Sequence, residues 1–143
     1  MESTARPFAV ANGAGHRFAM RGAEFEVKAT ADQTAGVFGL IESEQVGGVP
    51  THVHLETDES FFVLEGEYVI TAGDDRYVAG PGSFVFIPRG TPHAQEVDRG
   101  RKLILLTPGG FEQWFIDRAE HGDSWSEEES AAFDRQHGLV WQR

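Results

Sequence analysis

His52-x-His54, followed by Glu59 and, from further along the chain, His93, has the residue types and spacing to hold one divalent metal ion. Side chains on a strand alternate between faces, so residues 52 and 54 point the same way if this segment is extended. Two imidazole nitrogens then converge without distortion. Glu59 comes after a short polar stretch, and His93 must arrive from a separate strand. Three neutral imidazoles and one carboxylate suit a borderline ion such as Fe, Ni, Mn, Co or Zn. Inward-facing imidazoles and an inward carboxylate are costly to bury unless something binds them.

Such a set leaves coordination positions open, where water, substrate or dioxygen can enter. A structural site would be closed. The arrangement therefore points to catalysis, in which the ion acts as a Lewis acid, orients a bound enolate or hydroxyl group and, if redox-active, passes electron density to dioxygen. His16, His121 and His137 lie in polar, turn-like or helix-end contexts and read as solvent-exposed.

The elements that must position these residues are legible in the punctuation. Residues 1–15 carry Pro7, Asn12, Gly13 and Gly15 and read as a flexible arm with one extended piece at Phe8–Val10. Residues 23–30 alternate polar and apolar, as a half-buried strand does, with Phe25 and Val27 facing inward. A second strand is expected over Gly36–Glu42, where Gly39 marks a close approach or bulge. The ligand-bearing segment 50–55 follows the turn at Gly47-Gly48. Further strands are expected at 61–64, 68–71, 76–79 and 84–87, separated by Glu65-Gly66, Gly73-Asp74-Asp75 and Gly80-Pro81-Gly82. The turn from Pro88 to Pro92 delivers His93. Leu103–Leu106 reads as a fully buried strand. Short strands at this spacing with glycine punctuation indicate a sandwich or barrel.

After Pro108-Gly109-Gly110 the period changes. Phe111, Trp114, Phe115 and Arg118 fall on one helix face. Ser126-Glu127-Glu128-Glu129 is a capping box ahead of a second helix, and Gly138 stops it. Leu139-Val140-Trp141 then offers an apolar anchor.

Composition excludes several function classes. The chain has 143 residues, 40% of them hydrophobic, which suffices for one domain with a core. There is no cysteine, so disulfides and thiolate metal sites are out. The net charge of −11 would repel a polyanion, so nucleic acid is a poor partner. No apolar run reaches the roughly 18–20 residues a membrane span needs. The first residues lack a signal-peptide apolar core, and the cytoplasm is the expected compartment.

The segment Gly47 to Gly66 and the segment Gly82 to His93 together resemble the two motifs of the cupin superfamily, G-x5-H-x-H-x3-4-E-x6-G and G-x5-P-x-G-x2-H-x3-N. His52, His54, Glu59, Gly66, Gly82, Pro88, Gly90 and His93 fall in place. This spacing selects Glu59 over the neighbouring Glu56 and Asp58. Two positions depart from the pattern: Gly47 is one residue too close to His52, and Val97 stands where the second motif ends in Asn. The tail, Pro108-Gly109-Gly110-Phe111-Glu112-x-Trp114-Phe115 and a helix ending in His137-Gly138, is similar to that of the small quercetinase-like cupins of bacteria.

The resemblance implies an all-β cupin fold, a double-stranded β-helix or jelly-roll barrel, with a short C-terminal helical extension. Residues 1–15 would be the arm, 16–110 the barrel and 111–143 a helical segment packed on it. It also implies a metal-dependent dioxygenase acting on a small phenolic or enolisable compound, in which Glu59 binds the metal and doubles as general base. One divalent ion is expected, with Fe, Ni, Mn or Co ahead of Zn. The alternatives are a non-redox cyclase, isomerase, lyase or dehydratase on the same ligand set, and a cupin that binds a small molecule without turning it over. Partners would be a small-molecule substrate, dioxygen and a second copy in a homodimer. Alternation places Gln95 and Val97 on the face of His93, and Phe61 and Val63 on the face of Glu59, so these four are the expected pocket lining.

Overall fold

A computed structural model of the protein describes residues 3–142. Ten strands come first: β1 (His16–Met20), β2 (Ala23–Ala29), β3 (Gly39–Gln45), β4 (Val49–His54), β5 (Asp58–Glu65), β6 (Tyr68–Ala72), β7 (Asp75–Ala79), β8 (Phe84–Ile87), β9 (His93–Glu96) and β10 (Gly100–Thr107). Helices α1 (Glu112–His121) and α2 (Glu127–Gln136) follow, and then β11 (Leu139–Trp141). The strands form two antiparallel sheets, ordered β1-β2-β3-β10-β5-β8 and β11-β4-β9-β6-β7. This is a jelly-roll barrel with two short C-terminal helices. No helix among the described residues is long and apolar enough to cross a membrane.

Inward-facing apolar residues of both sheets make one core. Phe61 and Val63 of β5 and Ile104 and Leu106 of β10 meet Tyr68 and Ile70 of β6. The outer face is not fully polar. Phe62, Phe84 and Phe86 are 43%, 62% and 53% exposed, and Phe62 is the direct ladder partner of Phe84.

Four segments differ from the reading of the sequence. Phe8–Val10 is in no strand; the first strand is β1, a largely exposed ribbon paired to β2. The stretch ahead of it is tied down, because the amides of Gly13 and Gly15 donate to the Glu26 carboxylate. The second expected strand begins only at Gly39, since Ala35 and Gly36 take left-handed turn conformations at φ 54° and 81°. β10 is not buried on both faces: it alternates, with Lys102, Ile104 and Leu106 inward and Leu103 and Leu105 half-buried. The segment after α2 does not end as a helix but returns as β11, which pairs with β4.

The capping box at Ser126 forms as read, with Glu129 N–H donating to Ser126 Oγ at 3.1 Å and Ser126 N–H to Glu129 Oε1 at 3.2 Å. Helix α1 has no such side-chain cap. Instead Glu112, in its first turn, accepts from the amides of Gly110 and Ala31, both at 2.7 Å. A Cβ at position 39 would lie 2.0 Å from Glu112 Oε1, so Gly39 is the close approach that its place in the strand suggested.

Candidate metal centre

His52 and His54 lie on β4, His93 on β9 and Glu59 on β5, so the imidazoles come from one sheet and the carboxylate from the facing one. The β4–β9 register sets His52 directly opposite His93. All four side chains are buried, and one ligand atom from each lies within 4.8 Å of the others. Glu59 Oε1 is 3.0 Å from His93 Nε2, and Glu59 Oε2 is 3.6 Å from His54 Nε2.

Second contacts set the ring orientations. The Nδ1 of His52 sits 2.8 Å from the Pro50 carbonyl, and that of His93 sits 2.9 Å from the Thr91 carbonyl. A carbonyl can only accept, so each Nδ1 carries a proton; the Nε2 of His52 keeps its lone pair for a metal, and the Nε2 of His93, which donates to Glu59 Oε1, would give up its proton to ligate. The Nδ1 of His54 is buried without a partner among the described residues. Three buried imidazoles and one carboxylate whose ligand atoms converge, with the Nδ1 atoms of His52 and His93 turned to backbone carbonyls, fit a metal ion.

The electrostatics agree. Burial raises the Glu59 carboxyl, but His54, His93 and His52 together outweigh it and hold it down to about 2. Burial pushes His52 down to about 4 and also lowers His54. Burial opposes charge on His93 as well, yet the Glu59 hydrogen bond and charge prevail and raise it. At neutral pH two of the three rings are therefore neutral, the state in which imidazole ligates.

The other candidates are elsewhere. Asp58 accepts from Arg89 through both the guanidinium and the backbone amide, and Glu56 is exposed. His16 and His121 are exposed, and His137 is half-buried with its Nδ1 at 3.0 Å from the Phe133 carbonyl.

A cavity of about 130 Å³ opens beside the cluster, with His52, His54 and Glu59 in its wall. Gln95 lines it. Phe61, Val63 and Val97 do not: they face inward but belong to the apolar core. The Lys102 side chain lines the cavity and lies against the Phe61 ring, 4.8 Å from its centroid.

Lys102 is the residue that the sequence reading missed. It is 1% exposed, and its Nζ donates to Gln45 Oε1 at 2.8 Å and to Gln95 Oε1. Burial pushes its ammonium down to about 7 against the pull of Glu59. Its place two residues before Ile104, on the inward alternation of β10, is the signal that could have found it.

The C-terminal segment closes the site from the outside. Phe111 meets the His54 ring edge-on at 4.5 Å between centroids, and Trp141 lies 5.0 Å from His52. Asp134 of α2 accepts from the indoles of Trp114 at 2.8 Å and Trp141 at 3.1 Å. One carboxylate thus joins both helices to β11 over the cluster.

Residues 40–108 match the family model described as a cupin domain. The chain is 30% identical over 134 residues to quercetin 2,3-dioxygenase of Bacillus subtilis, covering 87% of this chain but only 40% of the length of that relative. Among solved structures, the polyketide cyclase RemF of Streptomyces resistomycificus superposes with a TM-score of 0.61 at 25% identity, over 71% of this chain and 80% of that one. A Streptomyces nucleoside dehydratase shares the fold, with a TM-score of 0.62 at 15% identity over 76% of this chain and 87% of that one. With the barrel, the two motifs and the family match in agreement, residues 40–108 of the chain form a cupin domain.

Proposed function

We propose that this protein is a metal-dependent dioxygenase acting on a small phenolic or enolisable compound. The observation that carries the reading is the buried cluster of His52, His54, Glu59 and His93, of which His52, His54 and Glu59 stand in the wall of a cavity that a small molecule can enter. The similarity to quercetin 2,3-dioxygenase supports the choice of reaction class. Fe, Ni, Mn or Co is the proposed ion, held by those four residues. The chemistry supplied by a bound ion there is polarisation of a substrate oxygen and, for a redox-active metal, electron transfer to dioxygen.

The protein's own residues do the rest. Glu59 faces the cavity, where it would take the proton of a substrate hydroxyl as general base. Phe111 and Trp141 cover the imidazoles and keep bulk water from the ligand side. The cavity is close in size to the roughly 150 Å³ that accepts benzene in an engineered core, so it takes one ring and leaves the rest of a larger substrate at the mouth.

A non-redox cyclase or dehydratase on the same ligands is the second reading, supported by the likeness to the polyketide cyclase. Oxygen uptake decides between them. The chain reconstituted with Fe, Ni, Mn or Co should consume dioxygen with enediol or flavonol-like compounds. Turnover with Zn and without oxygen consumption would replace the first reading by the second.

The assembly proposed is a homodimer. The row of exposed rings at Phe62, Phe84 and Phe86 is a surface of the kind that pairing would cover. Light scattering at a mass of one chain, 15.8 kDa, would refute it.

A further inference from the structure

The cavity holds a second polar group besides the candidate metal ligands, built around Lys102. On β10, Lys102 is the direct ladder partner of Ser43 on β3. Both are 1% exposed and both line the cavity. The Lys102 ammonium has three N–H donors. The side-chain oxygens of Gln45 and Gln95 take two of them. The rings of Phe61 and Tyr68 flank the nitrogen, with centroids at 4.8 and 4.6 Å. One ammonium donor is thus left over. The Ser43 hydroxyl beside it has no partner among the described residues.

Charge points the same way. The chain carries 23 acidic residues against 12 lysines and arginines. Yet the charged side chains in the cavity wall are two cations, Arg21 and Lys102, and one carboxylate, Glu59, which belongs to the metal cluster. Burying an ammonium is costly unless an opposing charge meets it. The two glutamine oxygens are dipoles and supply no such charge, and Glu59, whose charge pulls on the ammonium, makes no hydrogen bond to it among the described residues.

We propose that Lys102 and Ser43 form a binding site for an anionic oxygen, so that the substrate is a ring compound bearing a carboxylate. The ring occupies the cavity, the carboxylate accepts from Lys102 Nζ and Ser43 Oγ, and the reacting hydroxyl or carbon faces His52, His54 and Glu59. Gln45 and Gln95 hold the ammonium in place. Gln95 lies two residues beyond His93 on β9, so one strand serves both polar groups. This assignment rests on the cavity being the substrate site of the proposed enzyme, but not on the metal or the reaction.

The test is calorimetric titration of the full chain with benzoate and with its uncharged analogue benzamide, at about pH 6 where benzoate is ionised. It is run before and after dialysis against a chelator, so that binding of the carboxylate to a metal is separated from binding at Lys102. The expected result is a preference for benzoate of about tenfold or more that survives chelation, as a charge-assisted hydrogen bond gives. Lys102→Met should abolish the preference, and Arg21→Gln at the mouth should retain it. Equal binding of the two probes by the unmodified chain would overturn the proposal. So would no binding of either, a preference that vanishes on chelation, or one lost in Arg21→Gln. Because the unmodified chain and Arg21→Gln decide on their own, the test stands even if Lys102→Met fails to fold. A failed oxygen-uptake assay would count against the dioxygenase reading and leave this result untouched.

Discussion

His52 and His93 are direct partners in the β4–β9 ladder, and their ring centroids lie 4.3 Å apart. The two imidazoles therefore owe their closeness to strand register rather than to loop conformation. A sheet register fixed by a buried face does not slip by one residue without turning every side chain over. The ligand geometry is in this sense part of the fold.

Glu59 is the one acidic member of the cluster and the one candidate ligand from the opposite sheet. Glu59→Gln should keep the fold and a hydrogen bond to His93, while removing the charge that a divalent ion needs. We expect metal affinity to fall by at least about 100-fold, beyond the usual cost of losing a supporting residue. Competition with a chromogenic chelator measures it, and unchanged affinity would contradict the assigned ligand set.

Asp134 is the shared acceptor of two indoles. Asp134→Ala leaves the Trp114 and Trp141 N–H groups without it, at a cost of about 2–4 kcal/mol in unfolding free energy. Urea denaturation followed by tryptophan fluorescence reads this loss. A change within a few tenths of a kcal/mol would mean that the C-terminal segment is held by its apolar contacts alone.

Gly39 and Glu112 should be coupled. Gly39→Ala drives a methyl group into the carboxylate that anchors α1 and should cost about 1–3 kcal/mol. In the background of Glu112→Ala the same substitution should cost clearly less, because the obstructing atoms are gone. Additive effects in the double-mutant cycle would refute the contact.

Lys102 gives the alkaline limb of the stability curve a sign. Its folded value is about 7 against an ordinary 10.5, so between those values the unfolded chain binds the extra proton. Stability contributed through this group therefore rises with pH across that window, by up to about 1.4 kcal/mol per pH unit. Below about 7 the charged lysine is present in both states, and its burial cost is felt in full. Denaturant midpoints from pH 7 upward should climb more steeply in the unmodified chain than in Lys102→Met. Parallel curves would show that the amine is not desolvated.

Much of this was legible in the residues, for reasons that differ by element. His52 and His54 announced a shared face because two-residue spacing on a strand has one outcome. Glycine and proline marked the ends of β8 and the turn to His93, and Ser126 with Glu129 fixed the start of α2. What the sequence concealed was depth and long-range pairing. Alternation placed Phe61, Val63 and Val97 on inward faces, but it cannot say that they lie in the core while Gln95 reaches the cavity. Lys102 was hidden because the Gln45 and Gln95 oxygens that make its burial tolerable come from two other strands. The apolar residues of β11 gave no sign of their partner, since β4 lies far back in the chain.

The most direct test of the metal centre is elemental analysis of the purified protein beside His52→Ala and His93→Ala variants that retain the fold by circular dichroism. About one equivalent of a divalent metal per chain is expected, lost in both variants. A protein that binds no metal even after reconstitution, or variants that keep it, would contradict the assignment of His52, His54, Glu59 and His93 as its ligands.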